Sequence, residues 1–101
     1  MKRFHIALTT HDLPGAINDY SQRLAVAPEV IVDNQYALWR TDCLNVSVRV
    51  DHSMPVGQLR HLGWEDPSAP GFSEETDVNG IVWERFSADQ QAEEIKRMWP
   101  D

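Results

Sequence analysis

Two histidines and one glutamate stand out by where they fall. His5 lies in the run Phe4-His5-Ile6-Ala7-Leu8 and His61 in Arg60-His61-Leu62-Gly63-Trp64, each the second residue of a strand-like stretch. Glu84 sits within Ile81-Val82-Trp83-Glu84-Arg85-Phe86, directly after the turn-forming Asp77-Val78-Asn79-Gly80. Two imidazoles and a carboxylate from three strands form the facial set that holds Fe(II), and the same donors suit Zn, Mn or Ni. A strand histidine is more commonly a satisfied structural group, and a strand glutamate more commonly faces water. Residue types alone leave both readings open.

The elements that would carry these residues follow from periodicity. Arg3 to Thr9 alternates, with Phe4, Ile6 and Leu8 on one face and His5, Ala7 and Thr9 on the other. Asp12 reads as a helix N-cap with Pro14 in the first turn, and Leu13, Ile17, Tyr20 and Leu24 recur at helical spacing. Short strands are predicted over 29–32, 36–41 and 44–50, the last with Leu44, Val46, Val48 and Val50 opposite Asn45, Ser47 and Arg49. The order is β-α-β-β-β.

A connector over 51–57 leads to a second strand group. One strand is expected in Gln58–Glu65, with His61, Gly63 and Glu65 on one face and Leu62 and Trp64 on the other. Another is expected over 72–76, and a third over 81–86 with Glu84 beside Val82 and Phe86. Ser87 or Asp89 caps a final helix with an apolar side of Ala92, Ile95 and Met98. The two halves are faintly similar, each opening on a His-bearing strand.

Composition bounds the rest. The 101 residues suit one domain, or two small halves sharing a core. Sixteen acidic against nine basic residues give a formal charge of −7, which argues against nucleic acid and anionic membranes as partners. The single cysteine, Cys43, excludes an intrachain disulfide framework and reads as a half-buried structural thiol. The N-terminal apolar stretch is too short for a signal or a membrane span, so the cytoplasm is the default expectation.

Several motifs, in order, resemble the glyoxalase/bleomycin-resistance/extradiol-dioxygenase group, the vicinal oxygen chelate superfamily. The helix Asp12-Leu-Pro-Gly-Ala-Ile-Asn-Asp-Tyr-Ser-Gln-Arg-Leu24 is similar to that family's Asp-Leu-x-x-Ala-Ile-x-x-Tyr-x-x-x-Leu. The hairpin from Asp77 to Phe86 is similar to its Asp-Pro-Asp-Gly-Asn-x-x-Glu-Leu. The histidine strands look most like the branch of cadmium-induced proteins and organoarsenical lyases. The resemblance implies an α+β fold within one domain, 1–101. A complete glyoxalase-like βαβββ module (1–51) would precede a truncated second module and C-terminal helix (58–101), forming a metal-holding cup.

The resemblance also assigns His5, His61 and Glu84 as ligands of a divalent metal (Fe, Mn, Ni or Zn), with Glu84 facing the cup. The fourth ligand position falls on Ser47, not a usual ligand, which disfavours four-ligand glyoxalase I chemistry. The cysteine-bearing segment of the lyases is missing. So are a helix and a strand of the second module, and the C-terminal helix is expected to cover Trp64 and Trp83 in their place. Ser47 and Arg49 are candidate substrate-binding residues, Arg49 as a clamp for an anion. Glu65 serves as a comparison carboxylate. His11 and His52 read as loop histidines, and periodicity does not decide which face Tyr36 and Trp39 take.

Three readings of function follow: a metal-dependent lyase or dioxygenase acting on a small molecule, a non-catalytic drug-sequestering protein that stacks its ligand on the Trp-bearing strands, or an inert dimeric relative. A homodimer is expected in each.

Overall fold

A computed structural model describes residues 1–100. Over these residues the chain is α+β, with one mixed seven-stranded sheet and two helices. In order these are β1 (Arg3–Thr10), α1 (Leu13–Leu24), β2 (Val30–Val32), β3 (Tyr36–Arg40), β4 (Leu44–Val50), β5 (Leu59–Glu65), β6 (Ser73–Thr76), β7 (Val82–Phe86) and α2 (Ala88–Met98). The periodicities anticipated every element, with boundary differences of one residue at several strand ends.

The sheet order is β2-β3-β4-β1-β5-β7-β6. β1 runs parallel to β4 and β5 parallel to β7, while β1 and β5 meet antiparallel at the centre. The second half thus repeats the strand order of the first without the helix and one edge strand. The antiparallel centre brings the two His-bearing strands side by side.

Alternation sorts the side chains onto two faces. On one, α1 lays Leu13, Ile17, Tyr20 and Leu24 against Leu8, Ala37, Trp39 and Val48. Trp39 is fully buried there, its indole N–H donating to Ser21 Oγ at 3.1 Å. Asp12 caps α1 by accepting from the Gly15 N–H at 3.1 Å, and Ala25 ends it in the left-handed conformation.

The other face carries His5, Ser47, His61 and Glu84, and α2 lies across it. A capping box between Ser87 and Gln90 starts α2, and Ile95 packs on Tyr36 and Leu38 with Trp99 alongside. This corrects the expectation that α2 would cover Trp64 and Trp83. Tyr36 and Leu38 offer an apolar seat, and Arg40 and Asn45 offer hydrogen bonds to Gln91, so α2 settles on the histidine side. Phe4, Trp64 and Trp83 instead form an aromatic cluster on the opposite face, where Trp64 remains 40% exposed.

Cys43 is exposed in the β3–β4 turn rather than half-buried. The Thr41 hydroxyl accepts from the Leu44 N–H at 3.0 Å, and the tight turn leaves Cys43 at its outer side. Among the described residues no helix is long and apolar enough to cross a membrane.

Candidate metal centre

A single row across the sheet places most of the site. Asn45 of β4 pairs with His5 of β1, His5 with Gly63 of β5, and Gly63 with Glu84 of β7. His61 lies two residues from Gly63 on the same face. The Asp77 turn sets the position of Glu84. The Asp77 carboxylate accepts from the backbone N–H groups of Asn79 and Ile81 and from the Trp83 indole at 2.8 Å, and Gly80 takes the positive φ the turn requires. With Trp83 tied outward, alternation sends Glu84 to the other face.

His5, His61 and Glu84 come together there. His5 Nε2 lies 2.9 Å from His61 Nε2, and His61 Nε2 lies 3.0 Å from Glu84 Oε1. His5 Nε2 and Glu84 Oε1 are 4.0 Å apart. One point in the plane of these three atoms is about 2.0 Å from each, close to the bond length that zinc takes to nitrogen and oxygen donors. The donor types suit a divalent cation, but at that point His5 and Glu84 stand nearly opposite each other, so a facial arrangement requires the Glu84 carboxylate to turn toward His5.

The hydrogen-bond network decides which His5 nitrogen is free. Asn45 Nδ2 donates to Glu65 Oε1 and to Gln91 Oε1, both at 2.8 Å, which leaves Asn45 Oδ1 to face His5. His5 Nδ1–H therefore donates to Asn45 Oδ1 at 2.8 Å, with the Asn45 carbonyl at 3.2 Å, and the Nε2 lone pair points toward His61. His5 is 2% exposed, and burial followed by the neighbouring His61 lowers its pKa to about 4. It is neutral at physiological pH, as a metal ligand must be.

Behind Asn45 lies a buried ionic layer that sequence reasoning missed. Glu65 accepts from Arg40 Nε and Arg3 Nη1, both at 2.6 Å, and Arg40 Nη2 donates to Gln91 Oε1 at 2.6 Å. Arg40 also pairs with Glu29. Burial opposes the charge on Glu65, but hydrogen bonds from Arg40, Asn45 and Arg3 outweigh it and lower its pKa. Glu65 is thus the hub of the layer behind the site and cannot serve as a neutral comparison for Glu84. Arg3, Arg40, Glu65 and Gln91, spread over four elements, carry no local sequence signal.

A cavity of about 230 Å³ opens beside the triad. His5, His61, Glu84, Ser47 and Tyr36 line it, and Phe86, Phe72, Ile95 and Met98 supply its apolar wall. Tyr36 therefore faces the cavity and Trp39 the helix side. Burial raises the pKa of the Tyr36 phenol although the Ser47 hydroxyl opposes this, so it stays protonated and able to donate. Arg49 is not among the lining residues, and its guanidinium rests over the Trp99 ring, 5.5 Å from the centroid. Arg60 lines the cavity instead. Trp64 and Trp83 do not line it, so they offer no stacking surface to a ligand bound there. His11 lies against His52 in the loops, its Nε2 2.7 Å from the Met54 carbonyl and apart from the triad.

No family model and no curated protein matches this chain. Among solved structures, the fold is similar to that of a hypothetical protein from Staphylococcus aureus, with a TM-score of 0.60 and 8% sequence identity. The match covers 85% of this chain and 34% of that one, so the chain spans about a third of its neighbour's length. The likeness is one of fold alone.

Proposed function

We propose that the chain is a glyoxalase-like protein of the vicinal oxygen chelate type that binds one divalent ion through His5, His61 and Glu84. The ion and a small molecule would share the adjoining cavity. The observation that carries this reading is the approach of three donor atoms from three strands around one point at bonding distance. The paired half-sheets, each with a parallel β1–β4 or β5–β7 centre, support the same family reading, with a helix and edge strand absent from the second half.

A bound ion in such a site supplies Lewis acidity to adjacent substrate oxygens or, if iron, a place for dioxygen. The chain's own residues supply the rest. Asn45 holds His5 in one tautomer, and Phe86, edge-on to His5 with ring centroids 5.0 Å apart, excludes water from one side of the imidazole. Tyr36 presents a protonated phenol beside Ser47, suited to hold a substrate oxygen.

Elemental analysis and calorimetric titration with Fe(II), Mn, Ni and Zn test the proposal. The wild type should take up one ion per chain, Glu84→Ala should lose most of that affinity, and Glu75→Ala, at an exposed β6 position, should keep it. If the wild type takes up none of these ions, the metal reading fails and a non-catalytic small-molecule binding protein takes its place.

A further inference from the structure

Arg60 occupies an irregular place in the sheet. Ala7 of β1 pairs with His61 but Leu8 pairs with Leu59, so Arg60 is an extra residue in a β-bulge. A bulge breaks the alternation and re-aims a side chain, and Arg60 lines the same cavity as its neighbour His61. Strict alternation would have put it on the face of Leu62 and Trp64.

The guanidinium is partly buried and has no carboxylate partner among the described residues. Of the other six arginines, Arg3, Arg23, Arg40, Arg85 and Arg97 each have one, and Arg49, which has none, rests over the Trp99 ring outside the cavity. In a chain with sixteen acidic residues, an arginine left unpaired in a cavity is conspicuous. Of the acids lining the cavity besides Glu84, Glu74 is exposed and Glu94 pairs with Arg97, so neither neutralises it. A cation held this way gains most from an anion that enters the cavity.

We infer that Arg60, with the Tyr36 and Ser47 hydroxyls, forms an oxyanion subsite for the head group of a small ligand whose second oxygen donor reaches His5, His61 and Glu84. The head group is a carboxylate or a phosphonate, both of which match the guanidinium fork. At about 230 Å³ the cavity is smaller than the roughly 300–1,000 Å³ of drug-sized pockets, and Phe72, Phe86 and Ile95 leave room only for a short apolar body. Short 2-hydroxy or 2-oxo carboxylates and short phosphonates have this shape. The second contact rests on the metal reading; the oxyanion contact does not.

The test is calorimetric titration of metal-loaded and metal-free protein with lactate, methylphosphonate and the uncharged lactamide. Lactate or methylphosphonate should bind the wild type, and the better of the two on the metal-free protein, where the lactate hydroxyl has no ion to reach, identifies the head group. Lactamide should bind far more weakly. Arg60→Gln should weaken oxyanion binding by about tenfold or more, as expected for losing a charged hydrogen bond, while taking up metal at least as well as the wild type. Arg60→Lys, which keeps the charge but not the fork, should fall between. Equal binding of lactate and lactamide, or of oxyanion by wild type and Arg60→Gln, would overturn the inference. If Arg60→Gln does not fold, Arg60→Lys and the lactate–lactamide contrast decide. A wild type that binds no metal but still prefers lactate retains the subsite and loses only the metal reading.

Discussion

His5 couples the site to stability through its proton. Its pKa falls from an ordinary 6.5 to about 4 on folding, mainly through burial, so the unfolded chain binds more protons between those values. Its contribution is therefore complete above pH 6.5 and is lost as pH falls toward 4. Urea unfolding of the metal-free protein with chelator present should show a decline on the order of 3 kcal/mol across that window. His5→Asn should lack most of it, and parallel curves would contradict the assignment. Asp66, whose pKa hydrogen bonds from Ser68 and Arg85 lower to about 2, loses its contribution only at more acid pH. Glu65 gives a second prediction at this scale. Removing its carboxylate leaves Arg40 buried without its inner partner and Asn45 without an acceptor. Glu65→Ala should cost about 3–5 kcal/mol by chemical denaturation, the usual penalty for breaking a buried pair. Glu84→Ala, which removes a group crowded by two imidazoles, should cost the metal-free fold far less.

Among the elements, β5 and β7 approach each other closely at Gly63. A Cβ on Gly63 would lie 2.3 Å from the Glu84 backbone carbonyl oxygen, so only glycine lets β7 come this close. Gly63→Ala should push the two strands apart, cost about 1–3 kcal/mol, and weaken metal binding without removing any ligand. Denaturation and metal titration on the same variant check both outcomes; wild-type metal affinity would show that strand spacing does not control the site. α2 matters in a similar way, because Gln91 joins the Asn45–Glu65 layer that orients His5. A helix that lines the cavity therefore also buttresses His5.

For the whole molecule, the unequal halves have a consequence. α1 covers the outer face of the first half, but among the described residues no helix covers the cluster that Phe4 forms with Trp64 and Trp83 of the second. Exposed apolar sheet of this kind is commonly buried by association, and a homodimer is our proposal for it. Sedimentation at micromolar concentration should give about twice 11.6 kDa, and Trp64→Glu should shift the population to the monomer. A purely monomeric wild type would refute the proposal. The edge strand β6 is a less favourable contact, since Ser73–Thr76 is wholly exposed and carries Glu74 and Glu75.

The sequence by itself determined the elements and the faces of most side chains. Period-two alternation in β1 and β4 placed His5 and Ser47 opposite the apolar stripe, and the Asp77–Gly80 turn placed Glu84, because these signals are local. Strand order is not local, so only the tertiary structure brought β1, β5 and β7 together and their donor atoms to one point. It also decided three matters that alternation read differently or could not reach. The bulge at Arg60 breaks the period that would have sent it outward. Glu65 gained its role from Arg3, Arg40 and Asn45, which lie far away in the chain. The amphipathic pattern of α2 specified an apolar side but no partner, and Tyr36, Leu38, Arg40 and Asn45 together drew it onto the face that carries His5.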